Sequence, residues 1–284
     1  MHLFSSTKNI ILAFTLLMFL LIPYEAVLAG AWPQKEGSGY YKISFRYLSG
    51  EKIYNSDGVK VPIPKFTDYT IGLFGSYGLT GKLTAFMNVG LFKSTKLDSL
   101  SQEFGSDPDV SGFGDISIGL KYGLFKFGNT IISAKLMFGI PTGKSSPDGG
   151  IWIGAGNANQ LFGIEAGHSF WPSGFYLTEG ISFNNQTNGF SDEFRYYIEG
   201  GYRFSKNLLL IARLHGLVSF KNGDSNVKGG FATFENDQQF IAYNAELVYS
   251  ISNNWGFSAY YESGTNGKNI ISAPVFNFGV FITH

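Results

Sequence analysis

In SGFGDISIGLKYGLFK, residues 111–126, apolar and polar residues alternate without a break. Ile116, Ile118, Leu120 and Tyr122 share one parity, while Asp115, Ser117, Gly119 and Lys121 share the other. Successive side chains of a strand point to opposite faces, so a strand here carries one apolar face and one charged face. The same period of two recurs over 40–48, 68–77, 83–92, 130–140, 161–170, 175–183, 193–204, 208–218, 240–250, 255–262 and 275–284. Only 175–183 resists it, because Glu179 shares a parity with Leu177 and Ile181. A bulge or register change is expected there, since a charge facing lipid at depth is costly.

Twelve such strands fit either a soluble sandwich, which buries its apolar face, or a membrane barrel, which turns that face to lipid. The connections decide. After even-numbered strands they are short: GLTG, LFKFGN, WPSG, SKN and SISNN. After odd-numbered strands they are long and polar, as in SGEKIYNSDGVKVPIPK and PTGKSSPDGGIWIGAGNAN. Sorting by length is what outer-membrane barrels show, and an even strand count returns both termini to the periplasm. Tyr77, Tyr122, Trp171, Tyr202, Tyr249 and Trp255 flank the short turns, as an interfacial aromatic girdle does. The last segment sets Phe276, Phe278, Val280 and Ile282 on one face, a pattern similar to the C-terminal assembly signal of such barrels, although it ends in His284. The reading is all-β: a transmembrane antiparallel up-and-down barrel of about twelve strands.

Composition agrees. Charged residues make up only 15% of the 284 and aromatic residues 17%, a balance suited to strands in lipid. The formal net charge is zero, which argues against nucleic acid as a partner. The sequence has no Cys, hence no disulfide framework, thiolate metal site or lipid-modified cysteine. Residues 1–29 read as a signal peptide: Lys8, an apolar run from Ile10 to Ile22 too short to span a bilayer as a helix, and small Val27 and Ala29 before the cleavage point. Residues 30–284 are then the barrel.

Catalytic and cofactor patterns are weak. GIPTGKS (139–145) is one residue short of a phosphate-binding loop, and no helix follows to supply the amide cradle. His168 and Ser169 are adjacent in a strand and face opposite ways, so they cannot act as a nucleophile–base pair. The acidic run 105–112 has no calcium-loop spacing and reads as solvated loop. No catalytic residue, cofactor or metal site is expected, and the chain is not read as an enzyme. The inward parity holds the charge: Lys42, Arg46, Asp115, Lys121, Lys135, Glu165, Glu193, Arg195, Glu199, Arg203, Arg213, His215, Glu246 and Glu262. Neighbouring strands would oppose Lys135 to Glu165, and Glu199 to Arg213 to Glu246, giving a lumen-lining ion-pair network.

GFGDISIGLKYGLF (112–125), GIPTGK (139–144), GAGNANQLFGIEAGHSF (154–170) and GYRFSKNL (201–208) together resemble the outer-membrane transporter family labelled "MetA-pathway of phenol degradation". The resemblance implies passage of small molecules, aromatic or apolar ones among them, and carries no catalytic residue over. The expected function is a channel of the Gram-negative outer membrane, with passive passage through a charged lumen. Its partners would be the solute, outer-membrane lipid and lipopolysaccharide, and the barrel assembly machinery during insertion. The alternative is a closed barrel whose loops bind a surface partner or lipopolysaccharide; an outer-membrane lipid hydrolase ranks below both.

Overall fold

The computed structural model describes residues 30–98, 109–146 and 150–284. The expected signal peptide and residues 105–108 of the acidic run lie outside them. Beta-branched and aromatic residues at every second position favour extended backbone, and the described chain is built from strands. They are β1 (Gly39–Tyr54), β2 (Lys60–Gly78), β3 (Leu83–Leu97), β4 (Asp109–Gly112), β5 (Ile116–Phe127), β6 (Thr130–Ile140), β7 (Asn159–Ser169) and β8 (Phe175–Gln186). There follow β9 (Glu193–Arg203), β10 (Leu208–Ser219), β11 (Gly229–Gly230), β12 (Phe234–Glu235), β13 (Gln239–Ser250), β14 (Trp255–Lys268), β15 (Ile270–Ile271) and β16 (Val275–Thr283).

Twelve of these form one closed antiparallel barrel, each pairing with its neighbours in chain order. The seam joins β1 to β16, from Tyr40 opposite Thr283 to Leu48 opposite Val275. The short strands are accessory: β4 extends the β3 edge, β15 extends β1, and β11 and β12 form a separate two-stranded hairpin.

Side-chain exposure is the inverse of a soluble protein's. On the outer face Phe278 and Ile181 are 56% exposed, while on the inner face Glu199 is 1% exposed and Asp68 wholly buried. Apolar groups turned outward need a hydrocarbon solvent, and carboxylates turned inward need partners. The greasy face of SGFGDISIGLKYGLFK therefore meets lipid.

Two sequence expectations are corrected. The ladders of β8 with β7 and β9 run through Glu179 with no register shift, pairing it with Ala166 and Ile198, and its side chain stays exposed on the outer face. It lies only four residues beyond Phe175, where β8 leaves its short turn. That is roughly 10 Å of depth for a tilted strand, where the cost of a lipid-facing acid is small. The first long loop is also mostly strand. Its Val61 pairs with Ile53 and Lys60 with Tyr54, leaving Asn55–Val59 as the connection. The wall is accordingly uneven: β2 has 19 residues and β6 has 11, a difference of about 25 Å along the strand.

Inside the loop end sits an apolar cluster. Leu48, Phe66, Leu97, Val110, Ile271 and Val275 from the wall bury against Ile151 and Ile153 of the β6–β7 loop and Ala232 of the β11–β12 hairpin. Backbone bonds from Phe231 N–H to the Gly150 carbonyl (2.8 Å) and from Ile271 N–H to the Ala232 carbonyl (3.0 Å) hold these loops inward.

Candidate functional site: the barrel lumen

Period-two alternation places each inward charge at a fixed height, and the ladder registers decide which ones meet. Asp68 of β2 is central near the loop end. Its carboxylate accepts Arg46 Nη1 at 2.8 Å, Lys93 Nζ at 3.0 Å and the Thr95 hydroxyl at 2.8 Å. Glu165 of β7 lies 3.1 Å from Lys121 and 3.5 Å from Lys135. Glu199 takes the Arg213 guanidinium through Nε at 2.8 Å and through Nη2, and accepts the Tyr176 hydroxyl at 3.0 Å. His215 Nε2 lies 2.9 Å from Glu262, which also accepts the Tyr260 hydroxyl.

Glu246 does not join Arg213. Lys42 reaches it from β1, at 2.8 Å, by lying flat over β16. It can do so because Gly279 has no side chain: a Cβ there would collide with Lys42 Cε. Glu193 and Arg195 pair within β9 at 2.6 Å, with the Asn184 amide donating to Glu193 at 3.0 Å. Arg203 closes β9 at the short-turn end, where its backbone N–H donates to the Gly174 carbonyl at 3.0 Å. Asp115 stands apart from the ion pairs. Its two carboxylate oxygens accept the backbone N–H groups of Gly143 (2.9 Å) and Ala155 (2.6 Å), fastening the inward β6–β7 loop.

These pairs share one geometry. Each joins strands at most three places apart in the sheet, so the charges cancel along the wall, and among the described residues no ion pair spans the bore. Aromatic rings stand between them. Lys135 Nζ sits 5.5 Å over Phe86, Arg213 lies 5.7 Å over Tyr197, and Tyr40 stacks on Phe281 at 5.5 Å. Among the described residues no three His, Cys, Asp or Glu side chains are placed to hold a metal. His168, on the outer face, bonds Thr130 at 2.7 Å.

Residues 59–273 match the family described as "Putative MetA-pathway of phenol degradation". The chain belongs to that family. The COG4313 outer membrane channel from Pseudomonas putida F1 superposes with a TM-score of 0.70 at 12% identity, over 92% of this chain and 100% of that one. The NanC porin gives 0.54 at 8% identity, over 84% and 98%. The KdgM porin in complex with disordered oligogalacturonate gives 0.50 at 10% identity, over 86% and 98%. At such identities the likeness is one of fold. No curated protein is similar in sequence.

In this member of the phenol-degradation family, sequence parity alone misses several lumen residues. Lys93 falls on the lipid-facing parity of its segment, but a bulge in β3 between the partners of Ile71 and Gly72 adds one residue. Leu91 and Phe92 are then both exposed, and Lys93, Thr95 and Leu97 turn inward. The signal in the sequence is an apolar doublet after Gly90, followed by a lysine on the lipid-facing parity. Asp68 is the first residue of the alternating segment 68–77, where parity has no preceding residue to fix its face. Tyr176, Tyr197 and Tyr260 give no such signal, because an aromatic on the polar parity breaks the apolar-out rule.

Proposed function

We propose that the chain is a channel of the Gram-negative outer membrane, passing small molecules, aromatic or apolar ones among them, by passive diffusion. Both termini would face the periplasm and the long loops the exterior. One observation carries this reading: the lumen charges pair along the wall, so that no ion pair among the described residues bridges the bore, and aromatic rings stand between the pairs. A solute with a ring and few charges meets faces it can stack on, and fixed partial charges that orient it. The inward β6–β7 loop and β11–β12 hairpin would govern entry from outside. Outer-membrane lipid, lipopolysaccharide and the barrel assembly machinery are the remaining partners in this reading. A second reading, a closed barrel that binds through its loops, is favoured by the apolar cluster that those loops form across the mouth.

Single-channel recording of the refolded mature protein in planar bilayers tests it, beside Arg213→Ala. Removing Arg213 leaves Glu199 buried without its cation, so the variant should shift ion selectivity toward cations. Steady conductance altered in that direction supports the channel. Silence from both proteins overturns it in favour of the loop-binding barrel.

A further inference from the structure

Residues 30–38 do not lie outside the barrel. At the short-turn rim, Gly37 N–H donates to the Gly78 carbonyl and Gly78 N–H to the Ser38 carbonyl, both at 2.9 Å. From there the segment enters the lumen. Gln34 N–H donates to the Thr84 hydroxyl at 2.7 Å and the Gln34 amide to Ser76 at 3.1 Å. The Ala31 carbonyl accepts the Ser133 hydroxyl at 2.6 Å, the Gly30 carbonyl accepts Lys121 Nζ, and Trp32 meets the Tyr176 ring edge-on at 5.8 Å. The wall is shaped to receive it: a Cβ on Gly167 would stand 2.8 Å from Trp32, and one on Gly123 3.1 Å from Pro33.

At the inner end of this segment lie one buried hydroxyl without a partner and one buried carboxylate whose cation is shared with Gly30. Thr178 is wholly buried, and its Oγ1 has no partner. Glu165 is 5% exposed, and its Oε2, although 3.1 Å from Lys121 Nζ, makes no aligned hydrogen bond. Gly30 is linked to both. Its carbonyl shares Lys121 with Glu165, and a Cβ on it would stand 3.1 Å from Thr178 Cγ2. A wholly buried hydroxyl without a partner is uncommon, and Glu165 Oε2 has room for a better-aligned donor than Lys121, so a donor is expected here.

Hydrolysis of the Ala29–Gly30 bond by a signal peptidase adds one water across it. Ala29 keeps a carboxylate, and Gly30 gains an amine that is protonated at neutral pH. We propose that this new α-ammonium is captured inside the barrel by Glu165 and Thr178, with Lys121 gripping the Gly30 carbonyl, so that residues 30–38 become a strap anchored across the lumen. A peptide N–H offers one donor and no charge. An ammonium offers three donors and the positive charge that Glu165 attracts. Processing would thus complete the site, and the strap narrows the lumen at its short-turn end.

The inference rests on cleavage after Ala29 and is read by amine chemistry, so it stands or falls separately from transport. The mature protein would be purified from outer membranes, its N-terminus fixed by intact mass, and its amines acetylated at pH 7 with an N-hydroxysuccinimide ester. Acetylation at Gly30 should run about tenfold slower in the folded protein than in urea, as for any protected buried site. Thr178→Val, and a Ser-Gly pair inserted after Ala29, should each bring the folded rate toward the unfolded one, with heat-modifiable gel migration confirming that both variants fold. A mature chain beginning at another residue, or equal rates in folded and unfolded wild type, overturns the proposal.

Discussion

Asp68 shows what a single inward residue controls. Its buried carboxylate holds two cations from two neighbouring strands, and Lys93 in turn lies 4.7 Å under the Phe234 ring of the inward hairpin. Asp68→Ala strands two cations, one of them only 11% exposed. Breaking such a buried pair costs about 3–5 kcal/mol. The urea midpoint of the folded, heat-modifiable band should therefore fall clearly. The control is Lys96→Ala: Lys96 and Asp98 are 3.9 Å apart and more than half exposed, so less than about 1 kcal/mol is expected. Equal effects from the two substitutions would show that burial does not set the strength of these pairs.

Among the elements, two loops carry acids whose ionisation is shifted in opposite senses. Burial pushes the Asp192 carboxyl up, but hydrogen bonds from the Asn222 side chain, the Gln186 backbone and the Asn185 side chain together outweigh it and hold it below the usual range. Its contribution is complete above the unfolded value near ~3.9 and is lost as pH falls through the lower folded value. Glu235 in β12 is held above its usual range by burial, only partly offset by the Ala232 N–H. Its contribution is present below the unfolded value near ~4.3 and is lost as pH rises through the higher folded one. Hydrogen exchange should show the 185–192 segment loosening in acid and the β11–β12 hairpin loosening on return to neutral pH. Asp192→Ala and Glu235→Gln should each remove the trend of their own loop only. The same scale explains what the sequence made legible. Alternation located all twelve barrel strands, because the outer face must be apolar residue by residue. It gave Lys135 opposite Glu165 and Glu199 opposite Arg213 as neighbours, which the ladders bring to hydrogen-bonding or ion-pair range. It failed at the β3 bulge, where one added residue reversed the face of Lys93, and at Glu246, whose partner Lys42 lies three strands away. Bulges and long-range reach are set by ladder register and by small residues such as Gly279, and neither leaves a periodic mark in one strand's sequence.

For the whole molecule, the two ends of the bore are narrowed by different materials: the strap of residues 30–38 at the short turns, and an apolar cluster under the hairpin at the loops. Replacing residues 228–236 with a Gly-Ser linker removes the Ala232 and Phe231 contacts without touching a barrel ladder. Conductance should rise severalfold while the folded band keeps its urea midpoint; a fall in that midpoint with no gain in conductance would make the hairpin a brace for the wall. The seam has a consequence for biogenesis. Tyr40 and Thr283 pair although 243 positions apart, so the cylinder cannot shut until β16 has been made. A message truncated within β16 would yield eleven strands with two bare edges, both open to pairing with other chains. Closure thereby makes inclusion of β16 a condition of survival: only a chain that carries both seam strands can hide its own edges.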